Sequence, residues 1–498
     1  MATDVSPDVI VVGGGSAGAV VARRLVDRGD VRVLLLEAGG PDTNPAIHDP
    51  GRVHELWLAE EDWAYETAPQ PHASGRRLAW PRGRVLGGSS CLNAMVWVRG
   101  APADFDTWAY LGADGWSWRD VLPVYERIER REPGGPGTVS ILTDFEPDPI
   151  HTAIVEAAGQ CGIPFNADYN GAAQDGISTM QYSIEDGVRH STAAAYLHPV
   201  EDHPNLEVRL GAHARRLLFD GTRCVGIEWS RGGSVEEAHA GEVVVSGGTI
   251  GSPQLLLLSG VGPAEHLRAV GVDVVADLPG VGGNLHDHLL SPVIFSAERE
   301  VGPPSPGLPA CQTHLFWRTR PGVPVPDIQP IHFMVPMYEE WMEGPDNGFT
   351  LLGGMVRPAS RGSIRLTGPD LDDPLLIDPN ILSCEAVLDS LVAAVELCRR
   401  IGAADALAAW GAVERYPGPG VDVVQYVRDT AITYHHQVGT CKMGVDAAAV
   451  VDPTLKVHGI DGLRVADASV MPTVTTGNTN APSIMIGERA AEFVAAGV

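Results

Sequence analysis

The stretch DVIVVGGGSAGAVVARRL, residues 8–25, decides the fold. Val9 to Val12 form an unbroken apolar run, the pattern of a strand covered on both faces. Three glycines follow, and then apolar residues at helical spacing. Gly13, Gly15 and Gly18 satisfy G-x-G-x-x-G. The first glycine makes the tight turn, the second lets the backbone approach a pyrophosphate, and the third lets helix and strand pack closely. Free N–H groups at the start of the helix are offered to the phosphates. A second apolar strand, in VRVLLLEAGG at residues 31–40, ends in Glu37. A carboxylate at that strand tip accepts hydrogen bonds from an adenosine ribose. Strand, glycine turn, helix and acid in this order predict a dinucleotide site. They do not separate FAD from NAD.

The chain has 498 residues, enough for two intertwined or sequential domains. Hydrophobic residues make up 44%, so a large core is expected and wholesale disorder is not. A net charge of −28 disfavours nucleic acid and anionic membranes as partners. The two lysines, Lys442 and Lys456, stand against a large arginine majority, the bias expected of a GC-rich bacterial genome. The first residues lack the basic and apolar segments of a signal peptide. No apolar run approaches the roughly 18 residues of a membrane span. The seven cysteines are scattered, without C-x-x-C or zinc spacing, which fits a reducing cytoplasm. Residues 301–330, rich in proline and glycine, read as an irregular loop broken by a short strand around residues 313–317.

GRVLGGSSCLNAMVWVRGAPADFD, residues 83–106, is dense in small residues that would let a backbone lie against a flat or charged ligand. This stretch resembles the first signature of the glucose–methanol–choline (GMC) flavin oxidoreductases. GTIGSPQLLLLSGVG, residues 248–262, resembles the second. PQPHASGRRLAWPRG at residues 69–83 and the late segment at residues 452–491 are also similar to family members. The resemblance implies FAD, not NAD. It implies an α/β fold: a Rossmann-like FAD-binding domain with a mixed sheet, and an inserted α+β substrate domain whose antiparallel sheet roofs the flavin. The expected division assigns residues 1–149, 196–289 and 431–498 to the FAD domain, and residues 150–195 and 290–430 to the substrate domain.

Carried over by position, the resemblance gives the ADP half to Gly13, Gly15, Ser16, Ala17, Gly18, Glu37 and Ala38. Gly88, Asn93, Ala94 and Val96 approach the isoalloxazine. Ala214 meets adenine at a position the family usually fills with valine. Asp467 and Ala468 reach the pyrophosphate–ribityl region, with Asn478 and Thr479 beyond. Some choline-oxidising members tether FAD through a histidine before the asparagine of the first signature. Here that residue is Leu92, so FAD is expected to be non-covalent. Cys91 lies nearby, but buried cysteines mostly pack as small hydrophobes.

The chemistry is expected in YHHQVGTCKMG, residues 434–444, and TTGNTN, residues 475–480. Oxidation of an alcohol by a flavin needs a base for the hydroxyl proton, and histidine suits that task near neutral pH. The family carries its base in H-P-x-G-T. HQVGT starts at His436, with Gln437 where the family has proline. In an extended chain neighbouring side chains face opposite ways, so only one of His435 and His436 is expected to face the flavin squarely. His436 takes the base, and His435 becomes a pocket-lining residue. The family's second His or Asn falls at Asn478, with Asn480 as rival. An asparagine can donate to the substrate oxygen but cannot remove a proton. It is also a common helix cap.

His286, Asp287 and His288 suggest a metal at first sight, yet the family has a similar N-L-x-D-H stretch as a structural connection, and no metal is expected. No G-x-S-x-G elbow is present, so hydrolase chemistry has no support. Lys442 reads as solvated. Phe333, Met334 and Met337 suggest an apolar wall beside the substrate, or core. The expected partners are an uncharged primary alcohol and O2 or another electron acceptor. The alternative from another class is a redox-silent lyase of the hydroxynitrile lyase type, using the same histidine as acid/base.

Overall fold

The computed structural model describes residues 6–497. Val9–Val12 is the middle of a five-stranded sheet whose order is Leu206–Leu210, Val33–Glu37, Val9–Val12, Glu242–Val245, Leu463–Val465. Every pairing in it is parallel, with Val9 opposite both Val33 and Glu242. Val9–Val12 and Val33–Glu37 are buried throughout, as an unbroken apolar run on a sheet covered on both faces should be. Burying each such valine or leucine contributes about 1.5–3 kcal/mol. The helices Gly18–Val26 and Asn480–Ala495 pack against each other. They approach so closely that a Cβ on Gly487 would sit 2.7 Å from the carbonyl oxygen of Ala17.

The antiparallel strands of this half, His213–Asp220, Arg223–Arg231 and Ser234–His239, form a separate three-stranded sheet. The expected mixing is thus divided between two sheets.

A seven-stranded sheet lies beyond, built around Leu289–Ser296 and Gly348–Met355. Its pairings are antiparallel. The register puts Leu290 beside Ile432, opposite Gly354, and Leu352 opposite Ile331. Leu290, Ile331, Phe333, Leu352 and Ile432 all face one cavity. The other face packs on the helix Glu385–Gly402, where a Cβ on Gly353 would lie 2.8 Å from the Val395 nitrogen. Two large apolar cores result, one about the parallel sheet and one between the seven-stranded sheet and that helix.

The segment 301–330 is irregular on both sides of one strand, as expected. Cys311–Phe316 is a fully buried inner strand, between Ile331–Phe333 and Gly176–Thr179. Burial on both faces removes the alternation that marks a half-exposed strand, so the pattern in sequence is weak. Among the described residues, no helix is long and apolar enough to cross a membrane.

Candidate active site

The cavity, of about 330 Å³, runs from the carboxyl ends of the parallel strands to the face of the antiparallel sheet. Ligands of open parallel sheets bind at such strand ends. Of the residues expected to hold the cofactor, Gly13, Gly15, Ser16, Ala17, Glu37, Ala38, Gly88, Asn93, Ala94, Val96, Ala214, Asp467, Ala468, Asn478 and Thr479 line it. Gly18 does not. It packs on Gly13 instead, where a Cβ would meet the carbonyl oxygen at 1.9 Å. That is the close helix–strand approach its position in the motif requires.

These residues fit a flavin dinucleotide. Gly15 and Gly88 come from segments far apart in sequence, yet a Cβ on Gly88 would lie 2.7 Å from the Gly15 Cα. The result is a thin, side-chain-free slot against the helix start. Glu37 closes the adenosine end. Its carboxylate accepts from the backbone N–H of Gly14 and of Gly39, both at 2.8 Å. Burial pushes its pKa up to about 7 against those two bonds. Asp467 accepts from Gly248 N–H at 2.9 Å and from Ser252 Oγ at 2.5 Å, which ties the second signature to the last parallel strand. Leu92 also lines the cavity, and Cys91 is buried beneath it with its thiol pushed up to about 12 by desolvation.

The other end holds the polar pair. Helix Val423–Thr430 passes into the short strand Ile432–Thr433, and the chain then turns. The expected alternation fails at this turn: His435 has a left-handed φ of 65°. Both His435 and His436 therefore line the cavity. His435 lies 5.2 Å from Trp57, ring centroid to ring centroid, while His436 stacks on Tyr434 at 4.6 Å. Arg82 Nη2 donates to the His435 carbonyl at 2.8 Å and helps hold the turn.

The stretch read as a connection turns out to hold the histidine. Asp287 Oδ1 accepts from the His436 N–H at 2.8 Å. Asp287 Oδ2 accepts from Gln437 Nε2 at 3.1 Å and from the Thr433 hydroxyl. Its burial lifts its pKa to about 7. Gln437, in the family's proline position, thus spends its amide on the same clamp. His288 Nδ1 lies 3.0 Å from His436 Nδ1, with the rings at 89°. His286 Nε2 accepts from the Val474 N–H at 3.0 Å, which ties this segment to the loop before Asn478. Among the described residues no cluster of His, Cys, Asp or Glu could hold a metal ion.

Burial, and then the neighbouring His288, His435 and Arg82, drive the His436 pKa well below its ordinary value. Burial likewise takes His288 and His435 to about 3. All three imidazoles are neutral at neutral pH, and a neutral imidazole is what can accept a proton.

Asn478 sits in the turn before Asn480–Ala495, and its Oδ1 accepts from Gln329 Nε2 at 3.1 Å. The turn is held by Asp104, which accepts from the Thr476 N–H at 2.6 Å and from Arg357 at 2.9 Å. The rival Asn480 also lines the cavity, and its Oδ1 accepts from Ser16 Oγ at 2.8 Å. His288, Asp287, Arg82 and Gln329 were not singled out for the site from sequence. His288 and His436 are 148 positions apart, and no local pattern links them.

A nucleotide cradle on a parallel sheet, roofed by an antiparallel sheet and ending in a buried histidine and a half-buried asparagine, defines a flavin-dependent oxidoreductase. Two models described as GMC oxidoreductase match this chain, an N-terminal one over residues 7–290 and a C-terminal one over residues 358–487. The chain is 41% identical to the mitochondrial choline dehydrogenase of Mus musculus, over 97% of this chain and 89% of that one. It is 38% identical to the alcohol dehydrogenase [acceptor] of Pseudomonas putida, over 98% and 95%. The crystal structure of pyridoxine 4-oxidase from Mesorbium loti superposes with a TM-score of 0.93 at 35% identity, covering 98% of each chain. The chain belongs to the GMC oxidoreductase family. It is an FAD-dependent oxidoreductase acting on CH–OH donors.

Proposed function

We propose that this enzyme oxidises an uncharged primary alcohol to the aldehyde, with His436 as the base and Asn478 holding the substrate oxygen. One observation carries the reading. His436 and Asn478 line the same end of the cavity, and each has one polar atom engaged by the protein and the other without a protein partner.

His436 Nδ1 is taken by His288. Two imidazole nitrogens in contact share one proton, so one donates and the other accepts. A base at Nε2 requires the tautomer in which His436 Nδ1–H donates to His288 Nδ1. Nε2 then carries a lone pair for the hydroxyl proton. When that proton arrives, His288 Nδ1 still accepts from the imidazolium. General-base assistance of this kind is typically worth ~10²–10⁴ in rate. Asn478 offers Nδ2 to the oxygen as negative charge develops on it. FAD, when bound, accepts the hydride from the carbinol carbon.

The lining supports the substrate class. Leu290, Ile331, Phe333, Leu352 and Ile432 make the roof apolar. Among the described residues the only carboxylates on the cavity wall are Glu37 and Asp467, and both belong to the cofactor end. A quaternary ammonium alcohol would find no carboxylate on the cavity wall at the reacting end, although the mouse relative is named a choline dehydrogenase.

Anaerobic mixing of the purified flavoprotein with 1-butanol, 1-octanol, benzyl alcohol and choline tests the reading. Bleaching of the oxidised flavin band by at least one uncharged alcohol is expected, faster than by choline. No bleaching by any of them, with aldehyde released from mandelonitrile, would replace it with a lyase. His436→Ala should slow bleaching by ~10²–10⁴ while flavin stays bound.

A further inference from the structure

Gln329 lies beneath the site on the inner surface of the antiparallel sheet and is fully buried. Its backbone is clamped: its N–H donates to the Gly354 carbonyl at 2.8 Å, and its carbonyl accepts from Tyr434 Oη at 3.2 Å. Its side-chain Nε2 faces two acceptors, Asn478 Oδ1 and His314 Nδ1, each at 3.1 Å. Its Oε1 is buried with no donor. His314 is itself buried, wedged at 4.4 Å from Tyr169 and 4.9 Å from Phe316. Both protons of the Gln329 amide are therefore committed, one to each neighbour.

A primary amide presents a donor end and an acceptor end, and they differ only by a flip. An asparagine beside a substrate oxygen helps an alkoxide only if the NH2 end faces it. With the oxygen end forward it repels the charge. Gln329 engages the Asn478 oxygen, and so leaves the Asn478 Nδ2 facing the cavity. In the tautomer that leaves a lone pair on Nδ1, His314 in turn keeps the Gln329 amide from reversing.

We propose that Gln329 is a positioning residue: it holds Asn478 with its NH2 group towards the substrate oxygen, backed by His314. This rests on the assignment of Asn478 to the substrate oxygen. It adds a cause, lying outside the cavity wall, for the polarity of that contact. A role in packing alone would act equally whether or not Asn478 is present. A role through Asn478 would vanish without it.

The test is a double-mutant cycle on the flavin-loaded enzyme, read by anaerobic stopped flow with whichever alcohol of the panel bleaches fastest. The variants are Asn478→Ala, Gln329→Met and the pair together. Gln329→Met keeps length and loses both donors. It should lower the limiting rate of flavin reduction by about tenfold or more, approaching the effect of a lost oxyanion donor. The alcohol concentration at half-saturation should change far less. In the Asn478→Ala background the same substitution should change the rate by less than about twofold. Melting temperature and flavin absorbance check that each variant is folded and loaded. Should Gln329→Met not fold, Gln329→Glu replaces it in the cycle at alkaline pH, where its carboxylate only accepts. An equal loss in both backgrounds, or a Gln329 variant reducing flavin at the wild-type rate while Asn478→Ala is slow, would overturn the proposal. A wild-type rate in Asn478→Ala would overturn both this proposal and the assignment beneath it.

Discussion

At the scale of residues, His435 and His436 are neighbours of identical chemistry, and the backbone sorts them. One left-handed φ at His435 turns its ring towards Trp57, while His436 is fixed at its N–H by Asp287 and at Nδ1 by His288. Anchoring at both main chain and ring is what an acid/base group needs, because proton transfer demands a set tautomer and direction. His288→Leu should therefore slow flavin reduction on the order of 10²-fold or more, by removing the group that orients the imidazole. Flavin content should be unchanged. The measurement is single-turnover reduction, and a rate within a few-fold of wild type would mean that His436 is oriented without His288. The place of His436 on the cavity wall was legible from the family motif. That of His288 was not, since nothing in its own neighbourhood marks a contact with a residue 148 positions away.

At the scale of elements, the cradle depends on backbone approaching backbone. Gly88 lies on Gly15, and Gly13 lies on Ser246, where a Cβ would meet the carbonyl oxygen at 2.4 Å. Neither approach has room for a side chain, and Gly13 also has a φ of 101° that favours glycine. Gly88→Ala should yield a chain that purifies with little or no bound flavin, read as the ratio of flavin to protein absorbance. A fully loaded variant would show that the slot can widen. Leu92, on the cavity wall, cannot form a covalent link to the isoalloxazine. Acid precipitation of the yellow protein should therefore leave the flavin in the supernatant. Colour retained in the pellet would point to a tether elsewhere. The glycine turn and the strand to Glu37 were readable because their signals are local. The strand Cys311–Phe316 was readable as a short strand around residues 313–317, but its inner place in the sheet was not, since that is set by strands on both sides of it.

At the scale of the whole molecule, the fold buries many histidines as neutral rings. Desolvation, the main cause in each case, takes His151 to about 4, and His286, His288, His314 and His435 to about 3. His332 and His436 shift the same way. In the unfolded chain a histidine takes up a proton near pH ~6.5. Between that pH and about 4 the unfolded chain thus binds protons that the folded one refuses, and stability falls as pH falls. Each such group contributes about 1.4 kcal/mol per pH unit. Glu37 and Asp287, raised to about 7, oppose this, because the folded chain protonates them first. Asp104, Asp467 and His198 are raised as well, and His190, His213 and His266 are lowered; the lowered histidines stay in the majority, which leaves a net loss. The urea midpoint at pH 5 should lie clearly below that at pH 7.5, and an equal or higher midpoint would contradict the burial of these rings.

The sequence by itself determined the cofactor cradle, the family and the place of His436 in its motif. Each of those rests on residues close together in the chain, where a missing Cβ or a strand-to-helix turn has one physical meaning. The tertiary structure alone decided the polarity of the site: which nitrogen of His436 and which end of the Asn478 amide are left without a protein partner. Those choices are made by His288, Asp287 and Gln329 through hydrogen bonds that span 148, 149 and 149 positions. A hydrogen bond depends on ångström-scale placement, and chain folding sets that placement without leaving a pattern in the residues on either side.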